Sequence, residues 1–88
     1  MEQLEENRME IRRAISLAEF INKQSGRFAA KVLDFSDQGW VLVRDTQDDQ
    51  YLEPVADAAE HVRRARQGGL MLDVSYQDML AAWVAEND

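Results

Sequence analysis

The 88-residue chain has no cysteine, one proline, one histidine and four glycines. Without cysteine, disulfide staples, zinc–thiolate sites and thiol catalysis are excluded. No apolar run approaches the ~20 residues that a bilayer-crossing helix needs. The opening MEQLEENRME has neither the basic start nor the apolar stretch of a signal peptide, so the cytoplasm is the expected location. Bases are also scarce, with ten Lys and Arg against seventeen Asp and Glu, a formal net charge of −7. That deficit argues against generic binding to phosphate backbones or anionic membranes, which draws on Lys and Arg. The expected partner is instead a basic protein surface.

The hydrophobic share, 45%, and the charged share, 31%, are those of an ordinary globular domain. At this length the chain supports one thin core, so a single domain over residues 1–88 is expected. Residues 2–24 read as the longest helix. At 100° per residue Leu4, Ile11, Ile15, Ala18, Ala14, Ile21 and Leu17 form an apolar stripe about 160° wide, with Phe20 outside it. Glu5–Arg8 and Glu10–Arg13 are i,i+3 pairs on the polar side. Lys23 suits the helix end, and Gly26 is expected at the left-handed stop position. The breadth of the stripe makes this helix the candidate surface for a homodimer.

A hairpin follows. Arg27–Phe35 and Trp40–Asp45 are rich in apolar and β-branched residues, joined by Ser36-Asp37-Gln38-Gly39 as a type I turn closing on a left-handed glycine. In the second strand Trp40, Leu42 and Arg44 share one face while Val41, Val43 and Asp45 share the other. Both faces are partly apolar, which predicts a central strand. Tyr51-Leu52-Glu53 predicts a third strand, ended by Pro54, which cannot donate to a ladder. A helix over about Ala56–Gln67 carries the D-x-x-E capping pattern Asp57–Glu60, with a small-residue face of Val55, Ala58, Ala59, Val62 and Ala65. Gly68-Gly69 ends it. Leu70-Met71-Leu72 is either a fourth strand or a buried connector. Ser75–Asp78 is a second capping pattern, opening a helix with Met79, Leu80, Trp83 and Val84 on one side. The expected fold class is α+β in the order α-β-β-β-α-(β)-α, an antiparallel sheet packed by helices.

The negative charge has an address. Residues 34–60 hold eight acids against Arg44 alone, while the rest of the chain balances nine acids with nine bases. Asp in turns, acids at helix N-termini and a need for solubility account for such a segment. The second account, after that one, is a negative surface that docks on a basic partner, and its members would be Asp45, Asp48, Asp49, Glu53 and Asp57. The alternative is a nucleic-acid-binding regulator using Arg12, Arg13, Arg63, Arg64 and Arg66. No aromatic interleaves with those arginines, as base stacking would require.

Catalytic and metal patterns are not met. A calcium loop starting at Asp45 needs Gly at its sixth position and Glu at its twelfth, which hold Gln50 and Ala56. His61, with Asp57 four residues before it, reads as a surface histidine with an ordinary i−4 carboxylate. Gly68-Gly69 lacks both phosphate-loop spacings. The expectation is no catalytic, cofactor-binding or metal-ligating residue, hence a non-enzymatic module. Aromatic and Met residues beyond what a thin core holds suit a protein interface.

The stretch Gly39–Arg66 has a hairpin, a short third strand and an Ala-rich helix. It resembles the sheet-plus-helix unit of AP2-type DNA-binding domains, whose second strand likewise carries a Trp and an Arg-Asp pair. With the preceding helix the order is similar to that of double-stranded-RNA-binding domains. Both resemblances imply a basic nucleic-acid surface, whereas residues 34–60, which overlap the matching stretch, carry −7. In size and acidity the chain is similar to small phage proteins that inhibit host defences, among them anti-CRISPR proteins and DNA mimics. That likeness implies an inhibitor that covers a basic site.

Overall fold

In a computed structural model, residues 8–24, 26–68 and 73–87 are described. They form three helices and a four-stranded antiparallel sheet, a mixed α+β architecture in the expected order. The elements are β1 (Met9–Glu10), α1 (Ile11–Gln24), β2 (Phe28–Phe35), β3 (Gln38–Asp45), β4 (Gln50–Tyr51), α2 (Ala58–Arg66) and α3 (Val74–Asn87). Two compact units divide the chain, Met1–Ala56 and Asp57–Asp88.

In the first unit β3 is the central strand. It pairs along its whole length with β2 and on its other side with β1 and β4. Val41 also exchanges backbone hydrogen bonds with Val55, at 3.0 and 2.9 Å, just beyond Pro54. Along β3 the residues Gly39, Val41, Val43 and Asp45 are buried, and Gln38, Trp40, Leu42 and Arg44 are half-exposed. One face of the sheet is therefore covered and the other open, and β3 is the central strand that the two partly apolar faces of WVLVRD predict. The helix α1 lies against β2 and β3 with Ala14, Leu17, Ala18 and Ile21 buried. Asn22 ties it down, donating to the Ala30 carbonyl at 2.9 Å and accepting from the Ala30 amide at 2.8 Å.

Several boundaries differ from expectation for local reasons. The first helix begins at Ile11, where the Ile11 amide donates to Asp37 O and Glu10 Oε1 accepts from Arg12 N. Residues 9 and 10 are drawn into the sheet opposite Gly39 and Gln38. The expected start at 2–7, Leu4 included, lies outside the described residues. Within the apolar stripe, Ile15 is 44% exposed. It sits about 110° from the centre of the buried arc at 100° per residue, so the helix buries a narrower band than its sequence offers. The hairpin turn is tighter than expected, because Phe35 pairs with Gln38 and only Ser36 and Asp37 are left to turn. The positive φ falls on Ser36, at 60°, the sign pattern of a II′ turn, and Gly39 belongs to the strand. Gly26 is not left-handed either. The third strand is Gln50–Tyr51 rather than 51–53.

In the second unit α2 and α3 pack on each other. Asp57 caps α2 as the D-x-x-E pattern predicts, its side chain accepting from the Glu60 amide at 3.2 Å. Gly68 at φ 83° follows its end, its amide donating to Ala65 O. The expected cap of α3 at Ser75 is displaced to Asp73, whose Oδ1 accepts from the Ser75 amide at 2.8 Å. Tyr76, Leu80 and Trp83, at i, i+4 and i+7, are the buried residues of α3. His61 is a correction: it is 3% exposed, not a surface residue. The 70–72 stretch and Gly69 lie outside the described residues.

Candidate interaction surface

The five acids proposed for partner binding take different positions. Asp45 ends β3 on the covered face, in phase with Val41 and Val43, and is 5% exposed. Its carboxylate is clasped by Arg27, with Nη2 at 2.8 Å from Oδ2 and Nε at 3.2 Å from both oxygens. It also accepts from the Gln47 amide at 3.0 Å. The Arg27 hydrogen bonds hold the Asp45 carboxyl below its ordinary range, outweighing the desolvation that acts the other way. Asp45 is thus a structural ion-pair member whose carboxylate faces Arg27 within the fold, which corrects its assignment to an outward acidic face. Asp57 is exposed but is committed to capping α2.

Asp48 and Asp49 are exposed on the turn between β3 and β4, and Glu53 is exposed two residues past the end of β4. Asp49 adopts φ 56°, the left-handed region that Asp tolerates better than most residues. Its Oδ1 accepts from Arg44 Nη1 at 2.7 Å. Such an exposed pair contributes at most about 1 kcal/mol and orients the turn more than it stabilises it. Tyr51 stands opposite Arg44 in the ladder and is 61% exposed. Together with Ala29, Ala30, Lys31 and Leu42 these two line a shallow depression of about 120 Å³ on the sheet. The open face also carries Trp40, with the Arg8 guanidinium 5.4 Å from its ring centroid.

The arginine groups fall in different compact units, Arg12 and Arg13 in one and Arg63, Arg64 and Arg66 in the other. Arg12 and Arg66 are exposed, Arg13 and Arg64 half-buried. Arg63 is engaged by the Glu60 carboxylate through Nε, at 2.9 Å, and Nη2, and donates to Gln67 Oε1 at 2.9 Å. The Arg63 contact holds the Glu60 carboxyl below its usual range, and Glu60 raises Arg63 in turn. Among the described residues no three His, Asp or Glu side chains come close enough to hold a metal. No described helix is long and apolar enough to cross a membrane.

Sequence reasoning missed Tyr51 as a member of this surface. The signal was its place two residues before Glu53 and after Asp49 in a strand whose alternate face is open. No family model, curated protein or solved structure matches the chain. The functional reading therefore rests on the residues and their geometry.

Proposed function

We propose that the protein is a non-enzymatic interaction module whose turn between β3 and β4 docks on a basic surface of a partner protein. The observation that carries this reading is Tyr51, 61% exposed beside the exposed carboxylates Asp48, Asp49 and Glu53. A large amphipathic aromatic within three residues of three exposed carboxylates along the chain has the composition of an interface anchor with a polar rim. The acids supply steering and partner choice, and the ring supplies desolvated contact area. A protein whose Lys and Arg normally grip nucleic acid is the partner class that fits, and covering that surface would inhibit it.

The test is affinity purification from the native host with the intact chain, repeated with Tyr51→Ala and with the triple reversal of Asp48, Asp49 and Glu53 to Lys. The recovered partner should be basic. Its affinity should fall by ~30-fold or more, about 2 kcal/mol, for Tyr51→Ala. Charge reversal and added salt should each slow association. Equal recovery by the reversed variant would show the acids to be solubilising only. Binding of DNA or RNA at physiological salt without a partner would overturn the reading in favour of the arginine alternative.

A further inference from the structure

Between α2 and α3 runs an open groove of about 450 Å³, lined by residues of the second unit alone. Ala59, Val62, Ala81, Val84 and Ala85 make its apolar lining, and Arg63 and Arg66 stand on its α2 side. The volume is within the ~300–1,000 Å³ of ligand sites. A small molecule in so open a groove would keep much of its surface wet, whereas a helix can lie along it. Small side chains on both walls let a third helix approach closely.

Charge selects the occupant. The chain carries −7, yet among the described residues no carboxylate lines this groove and both ionised lining groups are arginines. Arg63 is fixed in place by Glu60 and Gln67. Arg66 is exposed and has no hydrogen-bond or ion-pair partner among the described residues. We infer that the α2–α3 groove receives an acidic amphipathic helix from a partner protein. Its apolar i, i+3/i+4, i+7 face would lie on Ala59, Ala81, Val84 and Ala85, with a carboxylate beside that face meeting Arg66.

The probe is a displayed library of random peptides of about 16 residues, some 24 Å as a helix, selected on the intact chain at physiological salt. The selected sequences should carry Asp or Glu flanking an apolar helical stripe. A synthetic copy of one should shift the backbone amide resonances of Ala59, Ala81, Val84 and Ala85. Arg66→Glu should weaken that peptide at least tenfold, about 1.4 kcal/mol, and Arg66→Lys should retain most of the binding. Arg66 is exposed, so both variants should melt like the wild type, and tyrosine and tryptophan fluorescence checks this. Selection of basic or uncharged peptides, or of none, overturns the inference. So do resonance shifts elsewhere, or an affinity indifferent to Arg66→Glu. If the same resonances move instead on raising the protein concentration, the occupant is a second copy. If they move with phosphatidylglycerol vesicles, it is a lipid surface. Either result replaces the helix. Neither Tyr51 nor Asp48 lines this groove, so variants there make its failure separable from failure of the β3–β4 surface.

Discussion

Replacing glycine by alanine at three positions should give three different results, and the difference comes from geometry alone. A Cβ at Gly39 would lie 2.5 Å from the Leu33 carbonyl oxygen and 3.2 Å from Asp34 Cα. Both are backbone atoms of β2, held in register with β3 by the ladder from Phe28 to Phe35. No side-chain rotation can relieve the overlap, so a strand must move by half an ångström or more. Overpacking of this kind costs roughly 1–3 kcal/mol, and a backbone obstacle places Gly39→Ala in the upper half of that range. At Gly26 nothing lies within 4 Å and the backbone is not left-handed. There the substitution only narrows the unfolded ensemble and should stabilise by about 0.4–1 kcal/mol. Gly68 is equally open in space but sits at φ 83°, so alanine there should cost about 1 kcal/mol through conformation alone. A domain of this size has a total stability of about 4–13 kcal/mol. With a urea slope near 1 kcal/mol/M, the Gly39→Ala midpoint should fall by about 2 M or more, while Gly26→Ala rises slightly. Urea melts followed by tryptophan fluorescence and circular dichroism read all three. Unfolding of Gly39→Ala within about 0.5 M of the wild type, or a milder effect than Gly68→Ala, would refute a fixed backbone obstacle at this site.

Two further outcomes follow from the same structure. Asp45 has its folded-state pKa depressed by Arg27, so the stability it contributes is fully present above the ordinary carboxylate pKa of 3.8. It is lost as the pH falls below that value through the folded pKa. Asp45→Asn and Arg27→Ala should each flatten the acid limb of stability against pH, and the double variant should add little to either. A wild-type limb retained in Asp45→Asn would sink this assignment. Leu17→Ala, at a fully buried site, should cost about 2–5 kcal/mol. Ile15→Ala, at a site 44% exposed, should cost under about 1 kcal/mol. Equal thermal shifts would mean that α1 presents a different face to the sheet.

Much of this architecture was legible because periodicity is local. The buried residues of α1 recur at helical spacing, the two partly apolar faces of WVLVRD mark the central strand, and Asp57-x-x-Glu60 names its own cap. What was misread depended on distant residues or on one-residue shifts. Alternation already puts Asp45 with Val41 and Val43, but treating Asp as solvent-seeking overrode the period. Its partner Arg27 lies 18 residues away and is visible only once the β2–β3 register is known. The tight turn moved the left-handed residue from Gly39 to Ser36, because pairing of Phe35 with Gln38 was favoured over a longer loop. In α1 the sequence supplies more apolar residues than the sheet covers, which leaves Ile15 44% exposed at the edge of the stripe. The candidate surface was half legible. Its acids stand out in composition, but the exposure of Tyr51 beside them depends on which sheet face is left open.

The Asn22 side chain does to Ala30 what a neighbouring peptide group would do. It offers one acceptor and one donor to a backbone amide and carbonyl that point away from β3. Among the described residues β2 is the marginal strand of the sheet, the kind of rim along which another molecule can add a strand and begin an aggregate. A strand arriving there must first evict Asn22, and with it the helix end that carries the residue. The same docking that builds the fold thus serves as its plug against strand exchange. Conditions that loosen α1 should make the protein sticky before they make it unfolded.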